Sequence, residues 1–217
     1  MASDLGSLGT GFWDVWNEDS PPEILDLSEV IRDACYFTIV VENYVRGRWM
    51  QRTSTEILDQ RNYIQHSLMS LRTSQELRSQ GIRVNDLHYE SCRLATIIYS
   101  FLVVFPVPPI PGPFETVTHL LQQELEKIHI ESLEMPRLTM HLWTLVMGAI
   151  ACIGLSERSW FVSKITKLSQ IMEIREWQDL QKVLRSYLWH PGTSNADGIE
   201  LWDEVEEEIY RNKNFSP

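Results

Sequence analysis

Two polar residues in apolar surroundings are the best candidates for acid–base chemistry in this sequence. His141 lies within the apolar run 138–145, and Glu90 precedes Arg93 by one helical turn. An imidazole or a carboxyl group in such surroundings is able to act as a general acid or base. The structural alternatives are a hydrogen-bonded core histidine at His141 and an ion pair between Glu90 and Arg93. His141 and Glu90 are therefore candidate catalytic residues, and no catalytic role is assigned.

His141 also belongs to a second set, the candidates for a ligand pocket. A pocket for a hydrophobic molecule needs aromatic side chains and a few polar groups that orient the ligand. The residues that offer these groups on apolar helices are Tyr89, Arg93, Tyr99, His141 and Trp143.

Signatures of the common cofactor and metal sites are absent from the sequence. It contains no G-x-G-x-x-G, G-x-x-x-x-G-K-S/T, H-E-x-x-H or G-x-S-x-G motif. His119 and His129 stand ten residues apart, and Glu131 beside His129 is weak evidence for a metal site. The cysteines are far apart and match neither a disulfide framework nor zinc-ligand spacing: Cys35, Cys92 and Cys152. We predict no cofactor and no metal.

The element that must position these residues is the uncharged stretch 138–155. It is apolar on every face, which is typical of a helix buried in a large core or in a membrane. Pro136 suits the first helical turn, and Gly154 marks the exit. A membrane span needs ~20 apolar residues, and His141 within the stretch favours a core helix. Small residues share one face and predict a close helix contact: Gly148, Ala151 and Cys152, with Leu155 beside them.

The composition indicates an intracellular protein without nucleic-acid contacts. The chain has 217 residues, with 30 Asp and Glu against 19 Lys and Arg, for a net charge of −11. Phosphate backbones are held by a surplus of Lys and Arg. The N-terminus lacks the basic and apolar regions of a secretory signal. We expect the cytoplasm or nucleus, no membrane contact, and as partner a hydrophobic small molecule, another protein or a second copy in a homodimer.

Hydrophobic periodicity predicts helices throughout the first half of the chain. One is expected from a cap at Ser20 to about Gly47, and another from a capping box at Thr53 and Glu56. Residues 72–83 are polar and are predicted to form a connection.

Asn85 or Asp86 is expected to cap the next helix, which runs to about Phe105 and whose apolar second half should be the more deeply buried. Prolines then stop this helix: Pro106, Pro108, Pro109, Pro111 and Pro113.

The second half of the chain predicts further helices around the central one. An amphipathic helix covers 114–130, another is capped by Ser156 or Ser159, one runs from Glu176 to about His190, and the last begins at Asp197. No segment shows the two-residue alternation of a strand. The prediction is an all-α fold, a single helical domain of about seven to eight packed helices around a buried central helix.

The first twenty residues are treated apart from this domain. They are rich in Gly, Ser and Asp and carry Phe12, Trp13 and Trp16. Two alternatives remain, a loose tail or an arm that docks its aromatic side chains. The predicted division is a flexible N-terminal arm at 1–20 and a helical domain at 21–217.

Several motifs together resemble the C-terminal part of the fungal-specific transcription factor domain, the helical regulatory region of binuclear zinc cluster regulators. They are YESCRLATIIYSFLVVFPVPP, LWTLVMGAIACIGLSERSWFV, WQDLQKVLRSYLW and GIELWDEV. The resemblance is good from about Tyr89 to Val205 and weaker over Leu27 to Leu71. It implies an all-α scaffold of fungal origin with room for a small effector, in a family whose genes often accompany secondary-metabolite pathways.

The chain departs from that family in having no six-cysteine zinc cluster and fewer helices before the matching part. We therefore expect a stand-alone relative that does not bind DNA. The first hypothesis is a regulatory or effector-binding module. The alternative is an enzyme that uses the same scaffold and an aromatic pocket to cyclise or rearrange a hydrophobic metabolite without a metal, and a third is a fragment that depends on a partner.

The cavity inside the fold is expected to discriminate between these hypotheses. An apolar cavity of roughly 300 Å3 or more with His141 or Glu90 at its wall would favour the enzyme. A solid core would favour an interaction module.

Overall fold

The computed structural model describes residues 6–48, 53–82, 86–107 and 112–215. These residues form ten α-helices, eight of them with seven or more residues, and contain no strand. The helices are α1 Thr10–Trp13, α2 Pro22–Val45, α3 Ser54–Ser70, α4 Ser74–Ser79, α5 Tyr89–Tyr99, α6 Pro113–Leu125, α7 Met135–Ala151, α8 Arg158–Ile171, α9 Trp177–Leu184 and α10 Pro191–Phe215. A π-helical turn, Ser100–Val104, follows α5, and a 3-10 turn, Ile130–Ser132, precedes α7. The predicted all-α fold is confirmed.

Helix α7 is the centre of the domain. Its residues from Met140 to Ile150 are all buried, and it packs against α1, α5, α6, α8, α9 and α10. Within the described part of the chain, no helix is long and apolar enough to cross a membrane. The predicted central helix is therefore confirmed, although it begins at Met135 and ends at Ala151.

The close contact predicted on the small-residue face of α7 is made by side chains of its neighbours. A Cβ atom at Gly148 would collide with the ring of Phe161 on α8 and lie 3.0 Å from Cδ2 of Leu121 on α6. The absence of a side chain at Gly148 therefore lets α6 and α8 pack tightly against α7.

Capping boxes begin two helices on the α2 side of the domain. The box of Thr53 and Glu56 at the start of α3 agrees with the prediction. A second box, formed by Thr73 and Glu76, begins α4 inside the segment that was predicted to be a connection. That prediction was wrong, because reciprocal capping stabilises even a short helix.

The first part of the predicted helix, α5, is more deeply buried than the apolar turn that follows it, which is the reverse of the prediction. Every residue of α5 is buried, whereas Phe101, Leu102 and Val103 in the following π-helical turn are only half-buried. The polar groups of α5 tolerate burial because they are paired within the protein. Thr96, for example, donates to the carbonyl of Cys92 at 2.7 Å.

The other predicted caps differ from the observed ones. The hydroxyl of Ser20 accepts a hydrogen bond from the backbone of Asn17 and does not cap α2. Helix α8 begins after Glu157 without a side-chain cap. Helix α10 begins at Pro191, well before Asp197, because a proline fits the first turn of a helix. The predicted positions Asn85, Pro108, Pro109 and Pro111 lie outside the described residues.

Residues 6–20, from the segment predicted to be a flexible arm, dock on the body of the domain. Phe12 and Trp16 are buried, and the ring of Phe12 meets that of Trp143 edge-on at 5.0 Å between centroids. The amide of Gly11 donates to the carbonyl of Ser186 at 2.7 Å. These contacts correspond to the docking alternative, and the division of the chain at residue 20 stays a prediction.

Candidate functional site

Three of the predicted site residues lie together where α3, α4 and α5 meet. Arg93 and Glu90 form a buried ion pair, with 2.6 Å between Nη2 and Oε1. The other oxygen of Glu90 accepts a hydrogen bond from the amide of Ser74 at 2.7 Å, at the start of α4. The hydroxyl of Tyr89 donates to the carbonyl of Arg72 at 2.6 Å. These contacts join the end of α3 and the start of α4 to α5. They correspond to the structural alternative for Glu90, an ion pair with Arg93.

Two further predicted residues, Tyr99 and Trp143, lie inside the core. The hydroxyl of Tyr99 and that of Thr38 form a hydrogen bond of 2.9 Å, and burial raises the pKa of Tyr99 well above its ordinary value. The indole nitrogen of Trp143 donates to the carbonyl of Leu188 at 3.0 Å, and its ring stacks on that of Tyr187. The polar groups of both side chains therefore have protein partners.

His141 lies in the wall of a pocket of about 230 Å3 between α6, α7 and α8, which we call the His141 pocket. The side chain is 4% exposed, and its Nδ1 atom is buried without a hydrogen-bond partner. Burial, with smaller contributions from the neighbouring His88 and Lys164, lowers the pKa of His141 to about 3. The imidazole is therefore neutral near pH 7, with one nitrogen free to accept a hydrogen bond.

The His141 pocket has an apolar floor and a charged rim. Buried aliphatic side chains form the floor: Leu125, Ile128, Leu145 and Leu168. Exposed side chains of both signs form the rim: Glu126, His129, Glu131, Lys164 and Lys167. The half-buried ring of Trp160 adds an aromatic wall, with the ammonium of Lys164 at 5.3 Å from its centroid. The pocket thus suits a small apolar molecule that carries a polar group.

A row of buried polar side chains leads to this pocket from the start of α5. The rings of His88 and His141 meet edge-on, with 5.8 Å between their centroids. The Nε2 atom of His88 has no partner, and its Nδ1 atom lies 3.8 Å from the carboxylate of Asp86. Burial lowers the pKa of His88 to about 4, although Asp86 opposes this shift. Two adjacent neutral imidazoles therefore lie beside the pocket.

Asp86 is the charged end of this row. Arg137 lies 3.0 Å from its carboxylate, and the indole nitrogen of Trp16 donates to it at 3.0 Å. Burial raises the pKa of Asp86, but these hydrogen bonds and the charge of Arg137 outweigh it, so the pKa is lowered overall. The ionised carboxylate thus holds the N-terminal segment and α7 to the start of α5.

The sequence identified part of this site. It singled out His141 for its apolar neighbours and noted His129 and Glu131, which the fold brings to the rim of the same pocket. It did not identify His88 or Lys164, because their proximity to His141 arises only from the packing of α5 and α8 against α7. No motif in the sequence indicated that His88 and Lys164 lie close to His141.

Among the residues that the structure describes, no three His, Cys, Asp or Glu side chains are arranged to bind a metal. All three cysteines are buried thiols, and burial raises the pKa of both Cys35 and Cys152 to about 12.

The fold defines an all-α helical domain, and comparison with known families assigns the chain to a class of regulatory domains. The sequence model of the fungal specific transcription factor domain matches residues 31–187, which is more than half of the chain. The chain belongs to this family, and the predicted resemblance is confirmed. No curated protein and no solved structure shows a significant match to the chain.

Proposed function

We propose that this chain is a regulatory module that does not bind DNA and that binds a small effector in the His141 pocket. The observation that carries the proposal is a buried histidine nitrogen without a partner in the wall of an apolar pocket. An unsatisfied buried polar atom costs about 1–3 kcal/mol. A ligand hydroxyl or amide that gained access to Nδ1 through a movement of the surrounding side chains would recover part of this free energy on binding.

Charge supports the part of the proposal that excludes DNA. The chain carries 30 acidic against 19 basic residues. The cations at the pocket rim, Lys164 and Lys167, share the rim with Glu126 and Glu131, so the rim carries both signs of charge. DNA-binding proteins gain most of their non-specific affinity from Lys and Arg contacts to phosphates. The proposed partners are therefore a hydrophobic small molecule and other proteins, including a second copy of the chain.

Two further parts of the proposal rest on the family resemblance. The first is a role in the regulation of a secondary-metabolite pathway, since many genes of such regulators accompany those pathways. The second is action in the cytoplasm or nucleus, where a regulatory module meets its partners.

The enzyme alternative also has an observation in its favour, the row of Asp86, His88 and His141 beside the pocket. A general base is most effective when its pKa lies near the working pH. His141, with a pKa of about 3, is a weak base at neutral pH, and it is not present as the imidazolium that general-acid catalysis would need. The pocket, at about 230 Å3, is also below the roughly 300 Å3 that was expected to favour the enzyme, and this volume restricts an effector to a molecule smaller than a drug-sized ligand. We favour effector binding for these reasons.

The experiment is a fluorescence titration with 1-anilinonaphthalene-8-sulfonate, an apolar aromatic anion that serves as the probe. We expect saturable binding of one probe per chain and a loss of at least five-fold in affinity in the double variant K164E/K167E, because both lysines line the rim. Lys182→Glu is the matched control, since Lys182 is exposed and pairs with Asp179 on α9.

Two outcomes would contradict effector binding in this pocket. One is the absence of saturable binding by a chain that unfolds cooperatively. The other is an equal loss of affinity in the control and in the double variant. Chemical turnover of a bound metabolite that His141→Asn abolishes would support the enzyme instead.

A further inference from the structure

The two ring nitrogens of His141 differ in their access to the His141 pocket. Nδ1 is buried without a hydrogen-bond partner, whereas Nε2 retains contact with solvent and forms no hydrogen bond with a described residue. The whole side chain is only 4% exposed, and it lines the pocket wall. Nε2 is thus the polar atom of His141 that a molecule in the pocket is able to contact.

The burial of Nδ1 determines which nitrogen carries the proton. A neutral imidazole has one N–H donor and one acceptor. With the proton on Nδ1, an N–H group would be buried without an acceptor, and orphaned N–H donors are rarer in protein interiors than under-used acceptors. With the proton on Nε2, only an acceptor is left unused at Nδ1. The favoured tautomer of His141 therefore offers a hydrogen-bond donor to the pocket.

Lys164 adds a positive charge beside this donor. Its ammonium lies 5.3 Å from the centroid of the Trp160 ring in the pocket wall, and it is near enough to His141 to contribute to the lowered pKa of that residue. Lys167 lines the same rim one helical turn further along α8. Neither Lys164 nor Lys167 forms an ion pair with another part of the described chain. An N–H donor next to unpaired ammonium groups is a combination that binds a carboxylate.

The carboxylates of the rim come from a different part of the fold. Glu126 follows the end of α6 and Glu131 lies in the 3-10 turn before α7, whereas both lysines belong to α8. Glu126 accepts a hydrogen bond from Gln122 at 3.0 Å, and Glu131 has no side-chain partner among the residues described. Charges of both signs thus border one pocket, and no ion pair joins them to each other.

This distribution of charge restricts the class of ligand. A simple carboxylic acid would pair with the lysines but would be repelled by Glu131, and a simple amine would meet the reverse situation. A zwitterion satisfies charges of both signs. The apolar floor of the pocket and the ring of Trp160 suit an aliphatic or aromatic side chain, and the volume of about 230 Å3 suits a molecule smaller than a drug-sized ligand.

We propose that the ligand of the His141 pocket is an apolar α-amino acid. Its carboxylate binds Lys164 and the Nε2–H group of His141, its ammonium group binds Glu131, and its side chain packs on the apolar floor. This inference rests on the proposed effector binding and names the class of the effector.

The test is isothermal titration calorimetry of the full chain at pH 7.5, with L-leucine and L-phenylalanine as probes. We expect saturable binding of one molecule per chain for at least one of them. The carboxylic acid and the amine that carry the same side chain should each bind at least ten-fold more weakly. Equal or tighter binding of either analogue would overturn the proposal, because one of the two charges would then be unnecessary.

Two variants assign the contacts of the ligand. Lys164→Met should weaken binding of the amino acid at least ten-fold. In Glu131→Gln the amino acid should bind no more tightly than the carboxylic acid does, because the contact to the ammonium group is lost. The matched controls are Lys182→Met on α9 and Glu200→Gln on α10, both at exposed positions, and they should leave the affinity unchanged. Undiminished binding in Lys164→Met or Glu131→Gln would contradict the proposal.

The fluorescence titration with 1-anilinonaphthalene-8-sulfonate separates this inference from the proposal on which it rests. If the dye binds as expected and neither amino acid does, the amino-acid inference alone fails. If neither the dye nor an amino acid binds, effector binding in the pocket fails as well. An amino acid whose affinity falls equally in Lys164→Met and in Lys182→Met would bind elsewhere on the chain, which would also overturn the inference.

Discussion

Acidification from pH 8 to pH 5 is expected to destabilise this protein through its two buried histidines. Burial lowers the pKa of His141 to about 3 and that of His88 to about 4, from an ordinary value of 6.5. The unfolded chain therefore takes up these protons before the folded chain does. Each histidine's contribution to stability is complete above about pH 6.5 and is lost as the pH falls toward the folded-state pKa.

The size of the effect follows from these pKa values. At pH 5 a histidine in the unfolded chain is almost fully protonated, whereas the two buried histidines of the folded chain are almost fully neutral. This difference lowers the free energy of unfolding by about 2 kcal/mol for each residue. The two together amount to about 4 kcal/mol, a large part of the about 5–15 kcal/mol that stabilises a typical domain. Most carboxyl groups are still ionised at pH 5, so this range of pH isolates the histidines.

Urea unfolding at pH 8, 7, 6 and 5 measures this loss directly. The wild type should lose about 4 kcal/mol between pH 8 and pH 5, whereas His141→Leu should lose about 2 kcal/mol, since only His88 remains. His129→Leu is the matched control, because His129 is exposed at the rim of the pocket and should leave the pH dependence unchanged. A wild type that loses less than about 1 kcal/mol, or an undiminished loss in His141→Leu, would refute the reasoning.

Three further predictions concern packing, metal and DNA. Gly148→Leu should lower the free energy of unfolding by at least about 1–3 kcal/mol, because the new side chain collides with Phe161; unchanged stability in urea would show that α8 moves away freely. Circular dichroism should show a helical spectrum whose thermal melt EDTA leaves unchanged, and a loss of helix on chelation would reveal a structural metal. A mobility-shift titration at low salt should show no saturable binding to duplex DNA, given 30 acidic against 19 basic residues. Micromolar binding that weakens steeply with salt would contradict this.

Long periodic segments were predictable from the sequence, and short ones were not. The 24 residues of α2 and the 17 of α7 carry enough apolar positions to define a buried face. Helix α4 has six residues, too few for periodicity to be informative. Its capping box at Thr73 and Glu76 was nevertheless recognisable in the sequence, because it has the same pattern as the box at Thr53 that was used to predict α3.

Burial was predictable only where hydropathy alone decides it. Helix α5 contains Glu90, Arg93 and Thr96 and is more deeply buried than the apolar turn that follows it. Its polar groups have partners on α4 or within the helix itself. Such pairing depends on how helices pack against one another, and a single sequence does not show it.

The same limit applies to the candidate site. The apolar context of His141 was visible in the sequence, because it is a local property. The second imidazole of His88 comes from a position 53 residues earlier in the chain, at the start of another helix.

The docking of α1 has a consequence for the order in which this protein is made. The hydroxyl of Ser7 donates to the carbonyl of Arg185 at 3.1 Å, across 178 positions of the chain. Ribosomes add about 5–20 residues per second, so about ten to forty seconds pass between the synthesis of the two partners. Phe12 lacks its native contact with the ring of Tyr187 during most of that interval, and a chaperone that shields Phe12 would be needed most at this stage. Residues 7–12 leave the ribosome long before the residues that they contact, and they are thus among the last to reach their native contacts.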